Sequence, residues 1–304
     1  MGLRFEALRR VRGGNEAWWR YGANGLAAWS HLAAAHALPE AVLDIDGQLT
    51  TTGVAVSHVE DLFGDVRPFT SLRLHVERLL VVKGPAIRDA RAQGEDSVQV
   101  SLTGEHPTLR PTDPLVRFVL DPRLVAVPDH FYRMPARLLE CKVWQTIAGR
   151  NAPVRTQRWH RDRPGDRHVV KCFVYLNDVD DDAGPFCFAL GSQRGQLPMD
   201  GVASGRDGLV DRFDDATVES AFSIRRCSGP AGTVIFANTT GLHMGGRSTA
   251  GERLMLTAQF GSAAAWQRRY FDAPEIPVQR STAYALGVAR PPRAKHMRMA
   301  EREP

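Results

Sequence analysis

The triplet His160-Arg161-Asp162 constrains this chain more than any other feature. Side chains two apart on an extended strand point to the same face. His160 and Asp162 can therefore reach one ion while Arg161 points elsewhere. A third ligand has to come from a neighbouring strand. His243, in Gly241-Leu242-His243, follows the short apolar run Thr233-Val234-Ile235-Phe236 and is the candidate. Two imidazoles and one carboxylate on one face, with the remaining positions open, suit a non-haem iron(II) centre. Arg253 then opens another strand-like run that ends at Phe260. A buried guanidinium beside such a centre suits a dicarboxylate held through a bidentate pair. Singly these signals are weak, since an H-x-D triplet also occurs in solvated turns and a lone histidine is more often packed than liganding. Their order along the chain carries the reading.

The surrounding pattern indicates short strands. Apolar runs broken by glycine or polar residues fall at 141–147, 155–159, 169–176, 186–189, 232–236 and 254–260, as expected for a β-sandwich or barrel. Short helices are expected at 114–120 and 123–127. Upstream, residues 15–38 carry a broad apolar helical face that Pro39 stops. Ser57 and Glu60 are spaced as a capping box for a helix at 57–62. A further helix is expected at 87–93, and 72–82 fits strand or helix. Strands are offered at 53–56 and 97–102, with breaks at Gly84-Pro85 and at 103–107. The first 110 or so residues thus read as a partly helical wrap, and 111–288 as the core of a single catalytic domain spanning 1–288. Residues 196–226 form a glycine-bearing polar insertion with the expected character of a mobile lid. The Pro291-Pro292 segment begins a tail, 289–304, expected to be flexible.

From about Leu138 to Phe260 the chain resembles the phytanoyl-CoA dioxygenase-like family of iron(II)/2-oxoglutarate oxygenases. The matching residues are Trp159-His160-Arg161-Asp162, the run from Val169 to Val179, the run from Gly184 to Gln193, Gly232 to Phe236, Gly241-Leu242-His243 and Arg253. The resemblance implies an α+β fold with a double-stranded β-helix core, jelly-roll and cupin-like, and helices packed around it from the N-terminal half. It implies His160, Asp162 and His243 as ligands of Fe(II), with Arg253 pairing the far carboxylate of 2-oxoglutarate and O2 as the second co-substrate. It also suggests Gln145 as an amide contacting 2-oxoglutarate. Family members often carry serine two residues after the distal histidine. Gly245 stands there in this chain, and Thr257, four along from Arg253 and on its face, is the alternative hydroxyl. The implied activity is oxidation, most simply hydroxylation, of an unactivated carbon in a small molecule, in specialised-metabolite biosynthesis. Asp162 argues against halogenation, because related halogenases replace the carboxylate by a small residue.

Other features bound the reading. The net charge of +5 is mild, and the arginines are scattered without a basic stripe or aromatic platforms, so no nucleic-acid partner is expected. No apolar run is long enough for a membrane span, and the start lacks the apolar core of a signal peptide. Cys141, Cys172, Cys187 and Cys227 lie far apart, which argues against structural zinc and fits reduced thiols in a cytoplasmic protein. Trp159 is read as core packing and Arg161 as structural or substrate-facing; Lys171 and Tyr175 share a strand face that can point into the barrel, although a lysine on a half-buried strand usually faces water. Two other classes remain open: a metal-binding cupin-like sensor without turnover, and a metal-dependent hydrolase using the same triad.

Overall fold

The computed structural model describes residues 15–32, 38–93, 98–149, 155–162, 166–194, 206–207, 210–265, 269–273 and 284–286. Its strands, in chain order, are β1 (Val54–His58), β2 (Val98–Ser101), β3 (Arg137–Ile147), β4 (Trp159–His160), β5 (Val170–Tyr175), β6 (Phe186–Ala189), β7 (Arg206–Asp207), β8 (Val210–Phe213), β9 (Ile224–Cys227), β10 (Thr233–Asn238), β11 (His243–Gly245) and β12 (Arg253–Gly261). They form two six-stranded sheets, ordered β1-β10-β5-β12-β3-β2 and β7-β8-β4-β11-β6-β9. Every named pairing is antiparallel. The result is a mixed helical and antiparallel-sheet fold.

Alternation distributes the side chains over three apolar layers. On the first sheet Cys141, Val143, Cys172, Val174, Phe236, Leu256 and Phe260 face outward to the helices. Phe173, Tyr175, Ile235 and Met255 face inward and pack on Phe186, Phe188 and Cys227 of the second sheet. Trp159, Cys187, Leu242 and Met244 close the far side with Val218. Each fully buried Leu, Val or Phe side chain contributes roughly 1.5–3 kcal/mol of transfer free energy. The two faces of the first sheet are therefore both committed to the interior.

All the helices but the last cover the first sheet. The helices are α1 (Gly25–Leu32), α2 (Glu40–Thr51), α3 (Val59–Phe63), α4 (Arg67–Gln93), α5 (Pro114–Val119), α6 (Pro122–Tyr132) and, inside the second half, α7 (Asp215–Ala221), with a π-helical turn at Trp18–Ala23. The segment at 72–82 is helix, joined to 87–93 in the 27-residue α4, so Gly84-Pro85 does not break it. Phe69, Leu72, Val76, Ile87 and Ala90 give α4 one buried stripe on either side of Pro85, and this packing outweighs the lost backbone bond. The capping box at Ser57 is also not formed. β1 continues through Ser57, and the His58 ring accepts from the Glu60 N–H as the cap of α3.

Three further expectations change. β1 and β2 come from the first 110 residues yet extend both edges of the first sheet, so that segment is part of the sheet as well as its wrap. Residues 155–157 form a 3-10 turn, which leaves only Trp159 and His160 as strand. The insertion at 196–226 is largely built into the fold. β8 pairs with β4, β9 pairs with β6, and α7 lies between them, capped by Asp214 on the Thr217 N–H. Residues 195–205 and 208–209, and the tail 289–304, lie outside the described residues. No described helix is long and apolar enough to cross a membrane. All four cysteines are buried free thiols.

Candidate metal centre

β4 and β11 are neighbours, and their register sets His160 directly opposite His243. The two rings lie 4.3 Å apart between centroids. Asp162 lies two residues beyond His160, where its N–H donates to the Thr239 carbonyl at 3.0 Å. The candidate ligand atoms of His160, Asp162 and His243 all fall within 4.8 Å of one another. Each imidazole is fixed from behind by its own chain. His160 Nδ1 bonds the Arg158 carbonyl at 2.8 Å, and His243 Nδ1 bonds the Gly241 carbonyl at 3.0 Å. A carbonyl only accepts, so Nδ1 carries the proton in both rings and Nε2 keeps its lone pair. That is the arrangement a metal-ligating histidine needs.

The electrostatics favour the same protonation states. Burial, and then the neighbouring imidazole, push His160 down to about 3. Burial likewise lowers His243, although Asp162 opposes it. Burial would raise the Asp162 carboxyl, but Lys171 and the two histidines hold it well below the usual carboxylate range. The set at neutral pH is two neutral imidazoles and one carboxylate, the donor set that suits iron(II). Lys171 Nζ lies 2.7 Å from Asp162 Oδ2. The lysine faces the triad rather than water, contrary to the expectation from its strand. Burial works against its charge, and Asp162 and Glu140 more than offset that.

Arg253 is fully buried, and its Nε, Nη1 and Nη2 have no hydrogen-bond partner among the described residues. Burial depresses its guanidinium, with Tyr175 and Cys187 pulling the other way. A Cβ built on Gly245 would lie 3.1 Å from Arg253 Nη2. The guanidinium thus reaches across to β11, two residues from His243, roughly 7 Å along a strand. A bare glycine beside an unpaired buried cation leaves the guanidinium's charge to be met by an anion such as a carboxylate. These residues fit Fe(II) together with a short dicarboxylate.

The other two predicted contacts separate. Thr257 shares the inward face with Arg253, as alternation requires. However, it stands opposite Lys142 and Phe173, about 13 Å along the strand from Arg253. Gln145 is not brought to the site. It pairs with Leu254 on the helix-facing side of β3, and its amide donates to Glu252 at 2.6 Å. A one-residue step from Trp144 or Thr146 puts it on the wrong face.

Sequence reasoning missed an inward row. Across β3, β12 and β5 the register aligns Glu140, Gln259 and Lys171, and one step along it aligns Lys142, Thr257 and Phe173. Arg212 of β8, buried opposite His160, was also missed inside the supposed insertion. Arg161 and Trp159 fall as read. Arg161 donates to the Ser192 and Thr240 carbonyls at 2.8 Å each, and Trp159 is buried in the outer apolar layer.

Comparison with known proteins bears on the fold. No family model matches the chain. A relative, the L-proline trans-4-hydroxylase of Streptomyces griseoviridis, is 26% identical over 156 residues, which span 45% of this chain and 58% of that protein. The match thus covers less than two thirds of the relative's length. Among solved structures, HygX from Streptomyces hygroscopicus with nickel and 2-oxoglutarate bound overlays with a TM-score of 0.49 at 23% identity, over 75% of this chain and 88% of that one. EctD from S. alaskensis with bound Fe overlays with a TM-score of 0.52 at 16% identity, over 82% of this chain and 85% of that one. The chain therefore shares the fold of the iron-binding protein EctD, in keeping with its resemblance to the phytanoyl-CoA dioxygenase-like family.

Proposed function

We propose that this protein is an Fe(II)/2-oxoglutarate-dependent oxygenase acting on a small molecule, with His160, Asp162 and His243 as the metal ligands and Arg253 as the anchor of 2-oxoglutarate. The observation that carries the reading is the Arg253 guanidinium, wholly buried and without a partner among the described residues, beside Gly245 and two residues from His243 on β11. An unpaired buried cation is destabilising, so a site that keeps one is built for an anion. The two facing sheets support a double-stranded β-helix, or jelly-roll, core. The partial likeness to an L-proline hydroxylase and the shared fold with iron-binding EctD support the class.

Bound iron(II) would supply open positions at which 2-oxoglutarate and dioxygen meet, for a reaction balanced as R–H + 2-oxoglutarate + O2 giving R–OH + succinate + CO2. The chain's own contribution is placement. Nδ1–H bonds to Arg158 and Gly241 aim the two Nε2 atoms. Lys171 holds one oxygen of Asp162 and so orients the carboxylate. Arg253 fixes the far end of the dicarboxylate, and Phe173, Phe186 and Phe188 keep the interior dry. A metal-binding sensor has no use for Arg253, and a hydrolase has no need of a carboxylate anchor. Four buried free thiols fit a cytoplasmic setting, and tailoring of specialised metabolites is the role this reading favours.

The test is anaerobic titration of the purified protein with Fe(II) and then 2-oxoglutarate. The visible charge-transfer band of a chelated 2-oxo acid is followed first, and oxygen-dependent succinate release afterwards. Saturable metal binding with no such band would leave the sensor reading in place.

A further inference from the structure

The inward face of the first sheet changes character along its length. Around Tyr175, Met255 and Ile235 it is apolar. Next to the triad it is ionic. Glu140 and Lys142 of β3 pair at 3.1 Å, and Lys142 is only 5% exposed. Its ammonium lies 5.5 Å from the ring centroids of both Trp144 and Tyr270. Lys171, in register with Glu140 through Gln259, continues the wall to Asp162. Exposure rises along the same line, from the buried lysines to Tyr270 at 43%. These groups therefore run from the metal ligands to the surface.

Stability does not account for this wall. Buried ion pairs are weak stabilisers, and apolar residues of similar volume usually do as well or better. The charges are also locally matched. Lys142 meets Glu140 at 3.1 Å and the exposed Glu105 at 3.8 Å, while Lys171 meets Asp162, whose charge a metal would also claim. With Asp162 given to the metal, two ammonium groups face two carboxylates, with aromatic faces beside them.

We infer that this wall is the substrate subsite and that it takes a small zwitterion of the amino-acid class, its carboxylate held by Lys142 and Lys171 and its ammonium by Glu140. This inference rests on the oxygenase reading given above. A zwitterion can exchange the internal Glu140–Lys142 pair for two new pairs without stranding either charge, which a neutral or singly charged ligand cannot do. Trp144 and Tyr270 would pack the apolar body of the ligand and add a cation–π contribution at its ammonium.

The experiment uses the whole protein loaded with Fe(II) and 2-oxoglutarate. The probes are the twenty L-amino acids, each compared with its carboxamide and its N-acetyl derivative, and the readouts are succinate release and anaerobic calorimetry. At least one free amino acid should bind and accelerate succinate release, and blocking either charge should lower kcat/KM by tenfold or more. Glu140→Gln, which preserves shape, should raise the KM for the free amino acid about 25-fold, equivalent to a 2 kcal/mol loss of a desolvated charged partner. It should change much less for the N-acetyl derivative, which already lacks the ammonium. Lys142→Met should show the mirror pattern with the carboxamide. Succinate release that no free amino acid accelerates overturns the substrate class and leaves the oxygenase reading standing, as does equal use of free and blocked forms. Failure to bind iron or 2-oxoglutarate at all overturns both.

Discussion

Replacing Arg253 by methionine should move stability and ligand affinity in opposite directions. Methionine keeps a straight apolar stem in the buried slot and removes the charge. In the ligand-free protein Arg253 is 0% exposed and all its guanidinium nitrogens are without hydrogen-bond partners among the described residues. Relieving an unsatisfied buried charged group of this kind gains about 2 kcal/mol. In a domain of this size that corresponds to a rise in Tm of roughly 3 °C. With metal and 2-oxoglutarate present that gap should close almost entirely. At a hundredfold excess over Kd, binding stabilises the native protein by about 2.7 kcal/mol. The variant, its Kd raised about 25-fold or more by loss of the charged partner, would gain about 1 kcal/mol or less at the same concentration. Thermal melts with Mn(II), with and without 2-oxoglutarate, measure both arms. A variant that melts below the native protein without ligand, and is shifted equally by 2-oxoglutarate, would show that Arg253 is a structural cation and remove the argument that it waits for an anion.

The remaining predictions separate the other roles. His160→Ala, Asp162→Ala and His243→Ala should each abolish stoichiometric iron binding and turnover, checked by metal analysis after gel filtration; full iron content in any one removes that residue from the ligand set. Lys171→Met should weaken metal affinity by about 10–100-fold, the usual effect of losing a group that orients a ligand, measured by competition with a chelating dye. Gln145→Ala should leave the 2-oxoglutarate Kd within about twofold of native, since the side chain bonds Glu252 on the opposite face of β3. Gly245→Ala should raise that Kd, because its methyl would stand 3.1 Å from Arg253 Nη2, tighter than ordinary van der Waals contact, and push the guanidinium off its position.

How much of this was legible in the sequence follows from which physical rules are local. The His160–Asp162 pair was, because i and i+2 on an extended chain share a face whatever the rest of the fold does, and Asp162 keeps that direction although β4 ends at His160; His243 was legible only through the order of motifs, since its place opposite His160 depends on β11 pairing with β4. Arg253 was legible as a cation on a strand. Its burial was not, since that depends on β3 and β5 flanking it. Gln145 failed for a parity reason: its strand was read correctly and its face was not. The helix running through Pro85 and the strands inside residues 196–226 were hidden for another reason. Tertiary packing and pairing with β4 and β6 decide them, and no local propensity reports either.

The same parity problem explains why the charged wall escaped notice, and it bears on how such folds should be read. The run Glu140-Cys141-Lys142-Val143-Trp144 alternates polar and apolar in the way a strand does when one side faces water. In this protein the apolar side meets the helical layer, while the polar side buries Lys142 against Glu140, Trp144 and Tyr270 rather than opening it to water, so the pattern misreports how far that side is solvated. A strand that is ionic on the face it buries bears a desolvation penalty that pairing repays only in part. Where several such faces converge, as Lys142, Lys171 and Arg253 do on three adjacent strands, the unrecovered penalty is greatest with the site empty and falls as anions enter. Ligand-free stability and site chemistry are thus coupled through the same side chains, and stabilising substitutions on these inward positions should be found preferentially among variants that bind their ligands poorly.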